Sequence, residues 1–145
     1  MSTSAPASIR AIVEREAARL RAMGEPAVSR RPSAAKWCPK EILGHLVDSA
    51  LNNAQRFVRG QLAAELVFPG YEQERWVAVQ DYASADWQGL VALWTALNAH
   101  IAHIVGRIPQ MKLATPCRIG EAASVPLEAV IQGYITHVEH HLGQM

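Results

Sequence analysis

The chain has 145 residues, enough for one domain with a sizeable core and too few for two comfortable ones. Half of the residues are hydrophobic, 19% are charged and the net charge is +1, and the eleven Arg and three Lys are scattered with no basic cluster between aromatics, so no nucleic-acid partner is expected. No apolar run approaches the roughly 18 residues of a membrane span, and the first six residues lack the parts of a signal peptide; no membrane partner and a cytoplasmic location are the expectations.

From residue 7 to 23, Ile9, Ile12, Val13, Ala17 and Leu20 recur at three and four residues, with Arg10, Glu14, Arg15, Arg19 and Arg21 between them. That spacing predicts an amphipathic helix, which Gly24 and Pro26 stop. Residues 25–35 read as a surface connection. A second helix opens at Trp37-Cys38-Pro39-Lys40-Glu41, with Pro39 in the first helical position, Cys38 as N-cap and Glu41 reaching back as in a capping box. A helix N-terminus also lowers a thiol pKa, but no base adjoins Cys38 in sequence, so the cap is its expected role. The core stripe over residues 41–60 is Ile42, Leu43, Leu46, Val47, Ala50, Leu51, Ala54, Phe57 and Val58. Beside it His45, Asp48, Ser49, Asn52 and Arg56 form a polar stripe at helical spacing, suited either to an interior pocket or to solvent.

Residues 61–86 read as a long crossover with a short helix near 72–80, pinned to the body by Trp76 and Tyr82. With so long a connection, the helices on either side need not be antiparallel neighbours. A third helix is predicted from Ser84 to Ile108, before Pro109, with Leu90, Leu93, Trp94, Leu97, Ile101, Ile104, Val105 and Ile108 as its stripe. His100 and His103 on it are three apart, but His103 falls on the less apolar side, and neither is expected at a metal. Residues 110–124 form a loop without the glycine pattern of a phosphate cradle. Cys117 lies there, far from Cys38 and in no CxxC arrangement, so both are expected as reduced thiols. A fourth helix begins near Pro126 and buries Leu127, Val130, Ile131, Tyr134, Ile135, Val138 and Leu142. Four amphipathic helices, one long crossover and no convincing strand predict a single all-α domain over residues 1–145, a four-helix bundle.

The chemistry concentrates in Tyr134-Ile135-Thr136-His137-Val138-Glu139-His140-His141. On a helix, His137 and His141 lie about 40° apart in azimuth and roughly 6 Å apart along the axis, so two imidazoles can converge on one ion. His45, alone on an otherwise apolar helix, is the candidate third ligand, leaving positions open for water or substrate. His140 points elsewhere and is expected in a supporting position or in solvent.

With Trp37-Cys38-Pro39-Lys40-Glu41, Gly44-His45-Leu46-Val47-Asp48-Ser49, Pro69-Gly70-Tyr71-Glu72-Gln73-Glu74, Asn98-Ala99-His100-Ile101 and the closing run from Tyr134 to Gln144, the chain resembles the DinB-like superfamily. Nearest is its branch of metal-dependent hydrolases, which includes bacillithiol S-transferases. The likeness runs from about Ile9 to the C-terminus. It implies a bundle of up-up-down-down connectivity, often a homodimer, holding a divalent ion through three histidines that fall on His45, His137 and His141. The family usually has Ser or Thr where this chain has Cys38.

Three neutral imidazoles leave a divalent ion its full charge, and such an ion lowers the pKa of bound water or of a bound thiol toward neutrality. The expected function is therefore a metal-dependent enzyme acting on a small-molecule substrate, as an S-transferase using a low-molecular-weight thiol or as a hydrolase. Zinc or nickel is the expected cofactor, since both accept imidazole donors. Asp48 and Asn52, one and two turns along from His45, are the candidates to orient ligand or relay a proton. The rival is a non-catalytic metal-binding or stress-related domain in which the ion staples two helices, with His140 or Asp48 as the fourth donor such a closed site needs.

Overall fold

A computed structural model describes residues 4–145. Five α-helices carry the fold: α1 (Ser4–Ala22), α2 (Pro39–Arg59), the short α3 (Gln73–Gln80), α4 (Trp87–Gly106) and α5 (Leu127–Leu142). The four long ones surround the core in the cyclic order α1, α4, α2, α5, because α1 packs on α4 and α5 and α2 packs on the same two. The pairs α1/α2 and α4/α5 therefore face each other across the core. The two helices joined by the crossover, α2 and α4, lie directly against one another.

Local chemistry sets the helix ends. Cys38 is the N-cap of α2 with extended backbone, Pro39 follows it, and the Glu41 carboxylate accepts the Cys38 backbone N–H at 3.0 Å. Glu41 is held in turn by Arg31, whose Nε donates to Oε1 at 2.9 Å while Nη2 donates to Oε2. Arg31 keeps the Glu41 carboxyl below the usual carboxylate range, and burial raises the Cys38 thiol, which suits a cap and not a nucleophile. Asp86, not Ser84, starts α4: its carboxylate accepts the Gly89 N–H at 2.8 Å, and residues 82–84 form a separate 3-10 turn. Trp87 then ties that end to α1 by donating Nε1–H to the Leu20 carbonyl at 2.7 Å.

The core is built from Leu20, Leu43, Leu46, Phe57, Trp94, Ile101, Leu127 and Val138, each at 2% exposure or less. Three residues of the expected stripes are instead half exposed: Leu51 at 45%, Val58 at 43% and Leu93 at 46%. A helix with two flanking helices covers only part of its circumference, and these side chains sit at the margin of the covered arc. By length and hydropathy α4 could span a bilayer, contrary to the sequence expectation; here it packs against α1 and α2, with 39% of that stretch buried.

The loops contain a sheet that the sequence does not announce. β1 (Leu66–Phe68) pairs in parallel with β2 (Pro116–Ile119), with Leu66 opposite Cys117 and Phe68 opposite Ile119; β2 pairs antiparallel with β3 (Val125–Pro126). Strands of two to four residues are too short to show alternation. Gly120, at φ +59, donates its N–H to the Phe68 carbonyl at 2.8 Å, closing the sheet against Gly70. The sheet fastens the α2–α3 connection to the α4–α5 connection.

Candidate metal centre

Helix α2 carries His45 inward at 0% exposure, and α5 brings His137 and His141 to it, half buried, from the neighbouring position in the bundle. One ring nitrogen from each of the three lies within 4.8 Å of the other two. The His45 and His137 Nε2 atoms are 3.1 Å apart. Two imidazoles on one tetrahedral zinc at about 2.05 Å would hold their nitrogens roughly 3.3 Å apart, so this pair fits such an ion, with His141 beside it. The rings meet edge to face, with centroids 4.9 Å apart for His45 and His137, 4.7 Å for His45 and His141, and 4.5 Å for His137 and His141.

Burial first, and then the neighbouring imidazoles, pushes both His45 and His137 down to about 4. Both are therefore neutral at pH 7, with a lone pair available to a cation. The Gln144 side-chain oxygen is 2.8 Å from His141 Nδ1, which places the proton there and frees Nε2. Ser49 Oγ is 3.5 Å from His137 Nδ1, and Trp37 lies against the His45 ring at 5.1 Å between centroids. His45 Nδ1 is buried with no hydrogen-bond partner. Gln144 and Trp37 were within the family-like motifs, but nothing in their spacing marked them as companions of the histidines.

The other candidates separate from this cluster. Asp48 is fully buried, and its carboxylate accepts from Gln80 Nε2 at 2.9 and 3.1 Å and from the Tyr82 hydroxyl at 2.7 Å. Burial raises its pKa while the Gln80 and Tyr82 donors oppose that rise. Asn52 donates to the Asp48 backbone carbonyl at 2.9 Å. The Asp48 carboxylate is occupied in bracing α2 against α3 and the following turn, and the Asn52 side chain in a bond within α2 itself. Among the described residues, no fourth His, Cys, Asp or Glu joins the three histidines. His140 is exposed, its Nε2 3.5 Å from Gln144 Nε2, and His100 and His103 are exposed on α4, stacked on each other at 6.3 Å. Cys38 and Cys117 are buried free thiols.

Cavities open onto the site from more than one side. A cavity of about 510 Å³ reaches His141 between Trp37, Ile42 and Glu74, and another of about 420 Å³ reaches His137 between Ser49, Arg56 and Tyr71.

A helical bundle with an inward cluster of three imidazoles offers a divalent metal three nitrogen donors. The chain matches the DinB superfamily over residues 11–145, and it belongs to that family. A similar solved structure is YfiT from Bacillus subtilis, described as a probable metal-dependent hydrolase with an unusual four-helix bundle topology. The two are 20% identical, with a TM-score of 0.74 over 97% of this chain and 77% of that one, a likeness of fold. Comparison with curated proteins gives no match.

Proposed function

We propose that the protein holds a divalent metal ion, zinc or nickel, through His45, His137 and His141 and uses it on a small-molecule substrate, as an S-transferase for a low-molecular-weight thiol or as a hydrolase. The observation that carries this reading is the convergence of three ring nitrogens, from two helices, within 4.8 Å. A bound divalent ion would lower the pKa of water or a thiol toward neutrality. The chain's own part is to keep His45 and His137 neutral by burial, to fix the His141 tautomer through Gln144, and to leave approaches from the cavities at His137 and His141. The absence of a fourth side-chain donor among the described residues supports an open site over a closed structural one. Buried unpaired thiols at Cys38 and Cys117 suit a reducing compartment such as the cytoplasm.

The test is metal analysis of the purified protein beside His45→Ala. One equivalent in the wild type and loss in the variant is the expected result; equal stoichiometry in both removes His45 from the site. A conjugation screen with glutathione, bacillithiol and mycothiol, run beside ester and amide hydrolysis, then decides between the two reactions. Rates no higher than those of the free ion would count against catalysis of either kind.

A further inference from the structure

The cavity on the His137 side contains a cation with no counter-charge. Ser49, Asn53 and Arg56 follow His45 along one face of α2, so a row of polar side chains leads from the histidine cluster to Arg56. The Cα atoms of residues 45 and 56 are about 16 Å apart along the axis at 1.5 Å per residue. Tyr71 lines the same cavity.

Several charged side chains buried elsewhere are paired with an opposite charge, whereas the Asp48 carboxylate is met only by the neutral donors of Gln80 and Tyr82. Glu41 is met by Arg31, Lys40 by Glu25 at 2.7 Å, and Glu16 by Arg15 at 2.8 Å and by Arg19. Arg56 differs. Among the described residues no carboxylate lies within ion-pair distance of it; Nη1 has only the Asn53 side-chain oxygen at 3.4 Å, and Nε is buried without an acceptor. Its guanidinium carbon sits 5.4 Å from the centre of the Phe68 ring, on an apolar wall that strengthens any electrostatic contact made there. Burial pulls its pKa down, the direction expected of a cation lacking a partner. A buried donor left unsatisfied costs about 1–3 kcal/mol, and a guanidinium offers a carboxylate or phosphate charge-assisted N–H donors.

We propose that Arg56, with Asn53 and Tyr71 beside it, is the subsite for an oxyanion, a carboxylate or phosphate, carried by the substrate at the end away from its reacting atoms. The second half of this statement rests on the histidine cluster being the reaction centre; the anion subsite itself does not. The spacing along α2 then selects an extended small molecule, with its reactive group at the histidines and its negative charge about three helical turns away. The Tyr71 hydroxyl supplies a neutral donor, since burial and the nearby Asp48 carboxylate raise its pKa.

The experiment uses the full chain, ¹⁵N-labelled and stripped of metal, titrated with acetate and, in a separate arm, inorganic phosphate, each against chloride at matched ionic strength. The reading is the Nε–Hε resonance of Arg56, assigned by its loss in Arg56→Lys, together with the backbone amide resonances of Asn53 and Tyr71, which the variants at position 56 retain. A saturable shift with one anion and none with chloride is expected, and the arm that saturates names the anion. Arg56→Gln should weaken that binding about tenfold or more, as loss of a charge-assisted pair does, while metal stoichiometry stays at the wild-type value. His45→Ala should lose metal and keep the anion. No saturable shift with either anion overturns the proposal, as does equal affinity in wild type and Arg56→Gln; should Arg56→Gln fail to fold, the wild-type resonance still decides. Anion binding without metal binding would sink the reading of the histidines and leave the subsite standing.

Discussion

The Tyr82 ring occupies the space that a side chain at Gly44 would need: a Cβ built there would lie 2.2 Å from two ring carbons. Gly44 is thus in mid-helix for close approach, one residue before His45. Gly44→Ala gains about 1 kcal/mol of helix propensity but has to displace a ring that is 7% exposed and anchored to Asp48. Overpacking of this kind costs about 1–3 kcal/mol and sometimes more. A net destabilisation of up to about 2 kcal/mol, read by urea denaturation, is expected. An unchanged or raised midpoint would show that the turn at Tyr82 yields freely.

Glu41 gives a pH-dependent prediction. Arg31 and the Cys38 N–H lower its pKa in the fold, so the unfolded chain binds more protons as the medium is acidified. Its stabilising contribution is present above the unfolded carboxyl pKa, near 4.3, and is lost as pH falls through the folded value. Glu41→Gln keeps an oxygen for the Cys38 N–H and removes the charge from Arg31. At pH 7 it should cost about 1–2 kcal/mol, and denaturation of both proteins at decreasing pH should show the gap closing below about pH 4. A gap independent of pH would mean that the ion pair contributes nothing.

The helices and the metal candidates were legible in the sequence because both obey local rules. His137 and His141 share a face through spacing alone, and His45 stands out as one imidazole in an apolar run. The surroundings follow other rules. Asp48 belongs to the same polar stripe as His45, yet its partners Gln80 and Tyr82 arrive from a connection whose path no periodicity encodes. The three strands are too short to alternate, and pairing of Leu66 with Cys117 joins residues far apart in the chain. Leu51 and Leu93 show that an apolar stripe drawn on one helix says nothing of how wide an arc its neighbours cover.

Tyr82→Phe separates the bracing of α2 from the chemistry of the histidines. The substitution keeps the ring over Gly44 and removes one donor from a buried carboxylate, leaving Gln80 alone to serve it. A loss of about 1–3 kcal/mol in stability is expected from an under-satisfied buried acceptor. Metal stoichiometry should not change. If instead stability is unaffected while turnover falls, Asp48 is handling a proton after all, and the place given to it in the bracing of α3 is wrong.

Gln144 is the residue through which metal affinity should respond without a ligand being touched. Its side-chain oxygen fixes the proton of His141 on Nδ1, and the two lie one turn apart at the end of α5, beyond the packed core. Outer partners of metal-bound imidazoles contribute about 10–100-fold in affinity, because they set both ring orientation and basicity. Gln144→Ala should therefore retain one equivalent of metal at saturation but bind it about tenfold more weakly in competition with a zinc chelator. Since an ion that binds only the folded chain stabilises it in proportion to the logarithm of its occupancy ratio, the same variant should show a smaller rise in Tm on adding metal and an unchanged Tm after chelation. Weakened stability in the chelated state would assign Gln144 to holding the end of α5, and affinity equal to the wild type would free His141 from any dependence on it.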